Sequence, residues 1–389
     1  MIRIVHVISD LDIGGAEVML AKLVGAMDRD RFSNTVISLT DRGQLGEQIE
    51  LSGVAVHALG MKRGRPDIFA LPRLIRLFKT LNPTIVQSWL YHADLLSTLA
   101  VKFSGLPILV WNVRCSDMDL KHYPPLTRWV QRVLAWCSAT PAAVIVNSEA
   151  GKQQHERLGY RPRRWDVIPN GFDTERFRPD TSLRLPLRQE WKVPQDAVVV
   201  ALVARVDPMK DHDTFLNAAQ EVSKARQNVC FLLVGKDTQT LEPAVAAKGL
   251  TDWVRMLGYR SDIECLLPGV DVLCLSSAFG EGFPNVLGEA MACGIPCVST
   301  DVGDARSIIG DTGLVVPVRD PASLAHAIID LIDRGPAARE RLGRAARARI
   351  ETEYSLARIV DRYTALYSDL SSTIHRPGEG VGASHHFHP

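Results

Sequence analysis

Short apolar runs alternate with amphipathic helical stretches along this 389-residue chain, and the alternation occurs twice. The apolar runs of the first half are 3–8, 34–39, 55–59, 84–88, 108–112 and 143–147; those of the second are 198–203, 230–234, 254–257, 272–275 and 296–299. Between the first two runs, Met19, Leu20, Leu23, Val24 and Met27 recur at helical spacing. Strands that alternate with helices predict a parallel sheet covered on both faces. A chain of this length exceeds one ordinary core. The expected fold class is therefore α/β, with two Rossmann-like, doubly wound domains facing a central cleft. The expected boundaries are 1–180 and 181–355. Pro179, Pro186 and Pro194 break a charged stretch without periodicity there, which reads as a linker. A last amphipathic helix is expected over 356–370, followed by a disordered tail over 371–389. His385, His386 and His388 in that tail read as part of a floppy end, with metal binding as the other reading.

Bulk properties exclude several classes. A formal net charge of +1 gives no argument for nucleic acid. Residues 1–180 hold 23 basic against 18 acidic residues, a net of +5, and the remainder 22 against 26, a net of −4. A mildly basic first half suits an anionic acceptor or a membrane surface, and random scatter gives the same numbers. No apolar run reaches the ~20 residues of a membrane-spanning helix. The start reads as a first strand rather than a signal peptide. The seven cysteines, Cys115, Cys137, Cys230, Cys265, Cys274, Cys293 and Cys297, lie mostly in apolar runs. They read as reduced thiols in a cytoplasmic protein. Cys293 and Cys297 lack further ligands for a metal.

Three stretches carry chemistry, and each lies just after a predicted strand, where ligands bind in doubly wound sheets. Gly14 and Gly15 open the first helix, where backbone amides can approach a ligand closely. Arg205 and Lys210 follow the strand at 198–203 and would hold a diphosphate; pairing with Asp207, Asp211 or Asp213 is the alternative. After 272–275, the turn Glu281-Gly282-Phe283-Pro284-Asn285 enters a short helix that carries Glu289. A helix N-terminus favours an anion. A carboxylate accepts from paired hydroxyls. An anion site flanked by carboxylates suits a sugar nucleotide.

These residues together resemble a retaining glycosyltransferase of the GT-B fold, in glycosyltransferase family 4 (group 1). The resemblance spans about residues 1–370. Its most specific piece is Glu281 to Glu289, a Glu-x7-Glu motif continued by Ala290-Met291-Ala292-Cys293-Gly294. Gly14-Gly15-Ala16-Glu17, Pro169-Asn170-Gly171, Arg205 with Lys210, and Gly303 ahead of Asp311-Thr312-Gly313 support it. It implies that 1–180 is the acceptor-side domain and 181–355 the donor domain, with the helix at 356–370 crossing back to the first. It implies transfer from a UDP- or GDP-linked sugar to a hydroxyl acceptor, in surface polysaccharide, exopolysaccharide or glycolipid assembly, with no cofactor and no metal. The protein would be cytoplasmic, with peripheral contact at the inner membrane face.

The implied roles are specific. Arg205 and Lys210 bind the diphosphate, Glu289 the ribose and Glu281 the donor sugar, within the backbone of the turn Gly282, Phe283, Pro284 and Asn285. Tyr259 and Arg260 cradle the base. Gly15 approaches the phosphates, and Gly14, Tyr91 and Arg114 face the acceptor. Many relatives carry a first-domain histidine that the turn at 111–117 lacks; His92 and Cys115 are the candidates to replace it. Stretches 65–81 and 126–136, with Arg73, Arg76, Trp129 and Trp136, read as helices packed on their own sheet or as membrane-facing surfaces. An epimerase of the same fold and a non-catalytic donor-binding subunit stay open as rival readings.

Overall fold

The computed structural model describes residues 1–374 apart from Pro66, Pro107 and 115–124. The first body contains β1 (Ile2–Ile8), α1 (Gly15–Ala26), β2 (Phe32–Ser38), α2 (Gly43–Leu51), β3 (Ala55–Ala58), α3 (Ala70–Leu81), β4 (Ile85–Trp89), α4 (Tyr91–Ser104), β5 (Ile108–Val113), α5 (Pro125–Trp136), β6 (Ala143–Val146), α6 (Glu149–Arg157) and β7 (Trp165–Val167). The second begins with α7 (Thr181–Glu190), β8 (Val198–Val203), α8 (His212–Ala225), β9 (Val229–Val234), α9 (Glu242–Ala247), β10 (Val254–Gly258), α10 (Ile263–Leu266) and β11 (Val272–Leu275). It continues through α11 (Asn285–Ala292), β12 (Cys297–Thr300), α12 (Ala305–Ile309), β13 (Leu314–Val316), α13 (Pro321–Asp333) and α14 (Gly335–Arg349) to the closing helix α15 (Leu356–Ile374).

Among the described residues the first sheet runs β3-β2-β1-β4-β5-β6-β7 and the second β10-β9-β8-β11-β12-β13. All pairs are parallel; Ile4 of β1 lies opposite Asn34 of β2 and Ile85 of β4. Strand order reverses between β1 and β4 and again between β8 and β11, and such reversals leave a crevice at the carboxyl ends of the strands. Each sheet is buried on both faces. Ile4 and Ile8 pack with Met19, Leu23, Tyr363 and Tyr367, whereas Val5 and Val7 pack with Leu74, Phe78 and Trp111. The period-two alternation of a strand produces those two cores. In the second sheet, Val199 and Ala201 face Leu287 and Met291, and Val200 and Leu202 face Phe215 and Ile328.

The chain crosses between the bodies twice, and the crossings are hydrogen-bonded to each other. Phe172 donates its N–H to the Tyr354 carbonyl at 2.9 Å, and Leu356 donates to the Phe172 carbonyl at 2.8 Å. The Phe172 ring enters the second core, stacked on Phe283 with centroids 6.1 Å apart. Helix α15 then returns to the first body through Ile359, Val360, Tyr363 and Tyr367.

Three expectations change. The stretch at 179–193 is not a linker: Asp180 caps α7 through the Ser182 N–H, and Leu187 and Trp191 are buried in the second core. Buried Arg188 ties the helix to Asp271 at 2.5 Å and to the Ala197 carbonyl at 2.7 Å. The proline and charges that hid its period are thus absorbed by tertiary contacts. Strands β7 and β13 were not foreseen; each has three half-buried residues. Helix α15 runs to Ile374, into the expected tail, and the rest of that tail with its histidines lies outside the described residues.

Cys230, Cys274, Cys293 and Cys297 are buried free thiols, whereas Cys265 is exposed. Burial pushes the Cys293 thiol up to about 12. Two buried histidines are held neutral. His6 accepts from Trp89 Nε1–H at Nδ1 (3.3 Å), which leaves Nε2–H to donate to Asn34 Oδ1 (3.1 Å). His155 Nδ1–H donates to the Gly151 carbonyl at 2.7 Å, and Nε2 accepts from Tyr91 Oη–H at 2.7 Å.

Burial pushes both imidazoles down to about 4. Their folded values lie below the unfolded one, so their contribution is complete above pH 6.5 and is lost as pH falls from there toward 4. Urea unfolding at pH 5 should show a loss of roughly 2 kcal/mol per imidazole against pH 7. His6→Gln and His155→Gln should each flatten that slope.

A second expectation concerns Gly288. A Cβ there would stand 2.1 Å from the Phe172 ring. Alanine gains about 1 kcal/mol of helix propensity over glycine. Overpacking at this site costs about 1–3 kcal/mol. Gly288→Ala should therefore lower the midpoint of thermal unfolding; a higher midpoint would show that the ring yields freely.

Candidate active site

The residues singled out in the sequence converge on the carboxyl ends of β1, β4, β5, β8 and β11. Loop 204–210 leaves β8 and ends in a short helical turn, Pro208–Lys210, capped when Asp207 accepts the Met209 N–H at 2.9 Å. Loop 276–284 leaves β11 beside it. Ser276 Oγ–H donates to the Lys210 carbonyl at 2.8 Å, and the Ala278 N–H to the Met209 carbonyl at 2.9 Å. These bonds bring Lys210 and Glu281 together. The Lys210 ammonium pairs with Glu281 Oε1, which also accepts from Ser277 Oγ–H at 2.7 Å. Both side chains are mostly buried. Lysine has three donors. One pair therefore leaves Lys210 able to bind a second anion. Arg205 lies on the same loop, 59% exposed, with its guanidinium on Asp207 at 2.9 Å.

Helix α11 opens at Asn285, after Pro284, and no side chain caps its first turn; a helix start leaves its first amides without intrahelical partners. Gly303 permits its close approach. Its φ is +54°, and a Cβ there would collide with the Glu281 and Gly282 carbonyls. Asp304 follows, donating its N–H to the Gly282 carbonyl at 2.9 Å.

The first body meets this loop at two points. Gly15 comes close to α11: a Cβ there would lie 3.7 Å from Asn285 Nδ2. Asn170 Nδ2–H donates to Asn285 Oδ1 at 2.6 Å. Arg114, at the end of β5, donates to Asn170 Oδ1 and, at 3.3 Å, to Tyr363 Oη, with its guanidinium 5.3 Å from the Trp89 ring centre. On the other side, the Asp304 carboxylate accepts from the Glu149 and Ala150 amides of α6 at 2.8 and 3.0 Å. Burial raises the Asp304 carboxyl above its ordinary range, and those two amides oppose the shift.

Other candidates are placed differently. Glu289 is partly buried on α11, raised by desolvation and opposed by Lys22 of α1 and by Arg176. Arg260 is held by Asp262 and Glu190 at 2.7 Å each, which commits three of its five N–H donors, while Tyr259 beside it is exposed. Tyr91 is buried against His155 and Gln131 and belongs to the packing of α4. His92 is exposed at the start of α4, and burial of part of its ring lowers its pKa. Gly14 is covered by the Glu17 carboxylate, which burial raises above its usual range. Cys115 lies outside the described residues. Asn170 and Asp304 were missed as site residues; the Pro169-Asn170-Gly171 turn and Gly303 before Asp304 were the signals available.

Comparison with known proteins follows the same division. Residues 13–176 match Glycosyltransferase Family 4, and residues 197–334 match Glycosyl transferases group 1. The chain belongs to the family 4, group 1 glycosyltransferases. D-inositol 3-phosphate glycosyltransferase of Geodermatophilus obscurus is 33% identical over 241 residues, 58% of this chain. The match spans about half of that relative, 52%. UDP-Gal:alpha-D-GlcNAc-diphosphoundecaprenol alpha-1,3-galactosyltransferase of Escherichia coli is 23% identical over 315 residues, 78% of this chain and 80% of the relative. Among solved structures, Anabaena Alr3699/HepE in complex with UDP superposes with a TM-score of 0.82 at 22% identity. That superposition covers 95% of this chain and 100% of the other, and shows the GT-B fold.

The Lys210–Glu281 pair bridges the loops of the two central strands of this glycosyltransferase's second sheet. A double-mutant cycle of Lys210→Met and Glu281→Gln in urea unfolding should return a coupling of roughly 0.5–3 kcal/mol. Additive single effects would mean that the two loops are fixed independently.

Proposed function

We propose that this glycosyltransferase moves a sugar from a UDP- or GDP-linked donor to a hydroxyl on a glycan or lipid-linked acceptor, with retention at the anomeric carbon. The observation that carries this reading is the single site formed by Lys210, Glu281 and the α11 N-terminus opposite Gly15. A cation, a carboxylate and a helix N-terminus without a side-chain cap match the diphosphate and hydroxyl groups of such a donor.

In this reading the bond between the anomeric carbon and the diphosphate oxygen breaks, and its electron pair leaves with the diphosphate. The acceptor oxygen bonds to that carbon from the same face and passes its proton to the departing phosphate oxygen. Arg205, Lys210 and the α11 amides meet the developing charge. No metal cofactor is assigned to the step. Glu281 holds the sugar, and Glu289 accepts from the ribose hydroxyls. Arg114, at the end of β5, faces the acceptor side. The base is held on the side of Tyr259.

The relatives support the acceptor class. The Escherichia coli relative is named for a UDP-galactose donor and a diphosphoundecaprenol-linked acceptor. Among the described residues no helix is long and apolar enough to cross a membrane. We propose peripheral contact at the inner membrane face, in assembly of a surface glycan or glycolipid.

A thermal-shift panel of nucleoside diphosphates identifies the base: the correct one at 100 times its Kd should stabilise by about 2.7 kcal/mol. Arg205 is exposed, so Arg205→Ala should leave the unliganded midpoint unchanged while it removes most of that shift. The same change should lower kcat/KM for transfer by about 10²–10³-fold. EDTA should leave the rate unchanged, and NMR of the product should show the donor's anomeric configuration. Full activity of Arg205→Ala, or an inverted product, would overturn the assignment.

A further inference from the structure

The first body contains a cavity of about 520 Å³ that the donor reading leaves unused. Its size is that of a small-molecule site, for which about 300–1,000 Å³ is usual. Its mouth lies at the carboxyl ends of β1, β2 and β4, where Asp10, Thr40 and His92 face it. This is the same edge of the sheet as Gly14 and Gly15. Its inner wall is apolar: Leu95, Leu96 and Leu99 from α4 and Leu126, Trp129 and Val130 from α5.

The apolar wall continues to the surface. Leu99 and Phe103 stand one turn apart on α4, and Trp129 and Trp136 two turns apart on α5; all four are exposed, Trp136 by 88%. Helical spacing places each pair on one face. The two helices pack against each other, and Leu99 and Trp129 line the same cavity. An exposed apolar band of this kind on a soluble surface marks contact with another apolar body.

The loop at 61–65 forms the rim and is basic. Arg63 is committed to Asp10 at 3.1 Å and to Asp12, which offsets one of the two acidic charges at the mouth. Lys62 and Arg65 are exposed and have no ion-pair partner among the described residues. The cavity therefore combines a polar mouth beside the glycine loop, two unpaired cations at the rim and an apolar groove whose wall reaches the surface at Leu99 and Trp129.

We propose that this cavity holds the hydrocarbon chain of an acceptor carried on a lipid phosphate, with the phosphate at Lys62 and Arg65 and the accepting hydroxyl directed past His92 toward the donor loop. The assignment rests on the transferase reading above and specifies its acceptor. A free sugar or soluble glycan would leave the α4–α5 wall without a partner. A bilayer surface alone would use Phe103 and Trp136 but not the groove lined by Leu96 and Val130.

Calorimetric titration of the full chain with farnesyl phosphate, below its micellar concentration, tests the proposal. Farnesol and inorganic phosphate are the two comparison ligands. Farnesyl phosphate should bind at least ten-fold more tightly than either. Leu99→Glu and Trp129→Glu alter exposed side chains and should keep the wild-type melting profile, yet each should weaken farnesyl phosphate at least ten-fold. Lys62→Ala with Arg65→Ala should erase most of its advantage over farnesol. UDP affinity, which depends on the other body, should be unchanged in all variants. Unaltered farnesyl phosphate affinity in both Glu variants would overturn the proposal. So would loss confined to adhesion on phosphatidylglycerol–phosphatidylcholine vesicles, which would make the stripe a bilayer contact. If the wild type binds farnesyl phosphate as expected but no nucleoside diphosphate, the transferase reading fails while the chain site stands.

Discussion

The rest of the structure depends on one aromatic ring. Phe172 leaves the first body at the crossing point, pairs its backbone with Tyr354 and Leu356 of the returning segment, and inserts its side chain under α11. Gly288 is what lets it fit, since any Cβ would stand inside the ring's contact distance. The glycine one residue before the second glutamate of the motif is thereby explained by packing, not by contact with a ligand. The helix whose N-terminus faces the donor is held by the same residue that joins the two bodies.

From that joint, polar contacts run outward in two directions. One passes from Tyr363 of α15 through Arg114 and Asn170 to Asn285, the first residue of α11. The other passes from the amides of α6 to Asp304 and on to the Gly282 carbonyl. Both end on the loop that carries Glu281, one from each side. A change in how the bodies sit is therefore felt at that loop, because neither Asn285 nor Gly282 can keep its partners if the first body withdraws. Most of these hydrogen bonds are partly buried, where an unmet partner is costly.

Much of this was legible in the sequence because the dominant forces are periodic or local. Strand runs such as Val198–Val203 are apolar on both faces, and burial of both faces is what the parallel sheets show. The pairing of Lys210 with Glu281 was within reach, since each sits just after a central strand. What failed to show has physical reasons. Helix α7 is masked by Pro186 and by Arg188, which is buried only because Asp271, far along the chain, receives it. Strands β7 and β13 are too short and too exposed to carry a period. Asn170 and Asp304 act across more than a hundred residues, and no local pattern encodes that reach. Arg260 looked free in the sequence, but Glu190 and Asp262 take three of its five donors. Tyr91 looked like an acceptor contact, but its hydroxyl lies on His155 in the packing of α4.

The central claim is that a nucleoside diphosphate binds at the ends of β8 and β11 against the α11 N-terminus. Hydrogen exchange of backbone amides with and without the nucleotide tests it most directly. The account predicts slowed exchange at 204–210 and 282–288, with smaller effects at Gly14 and Gly15 and none along α13. Protection confined to the first body, or its absence from 282–288 at saturating nucleotide, would contradict it.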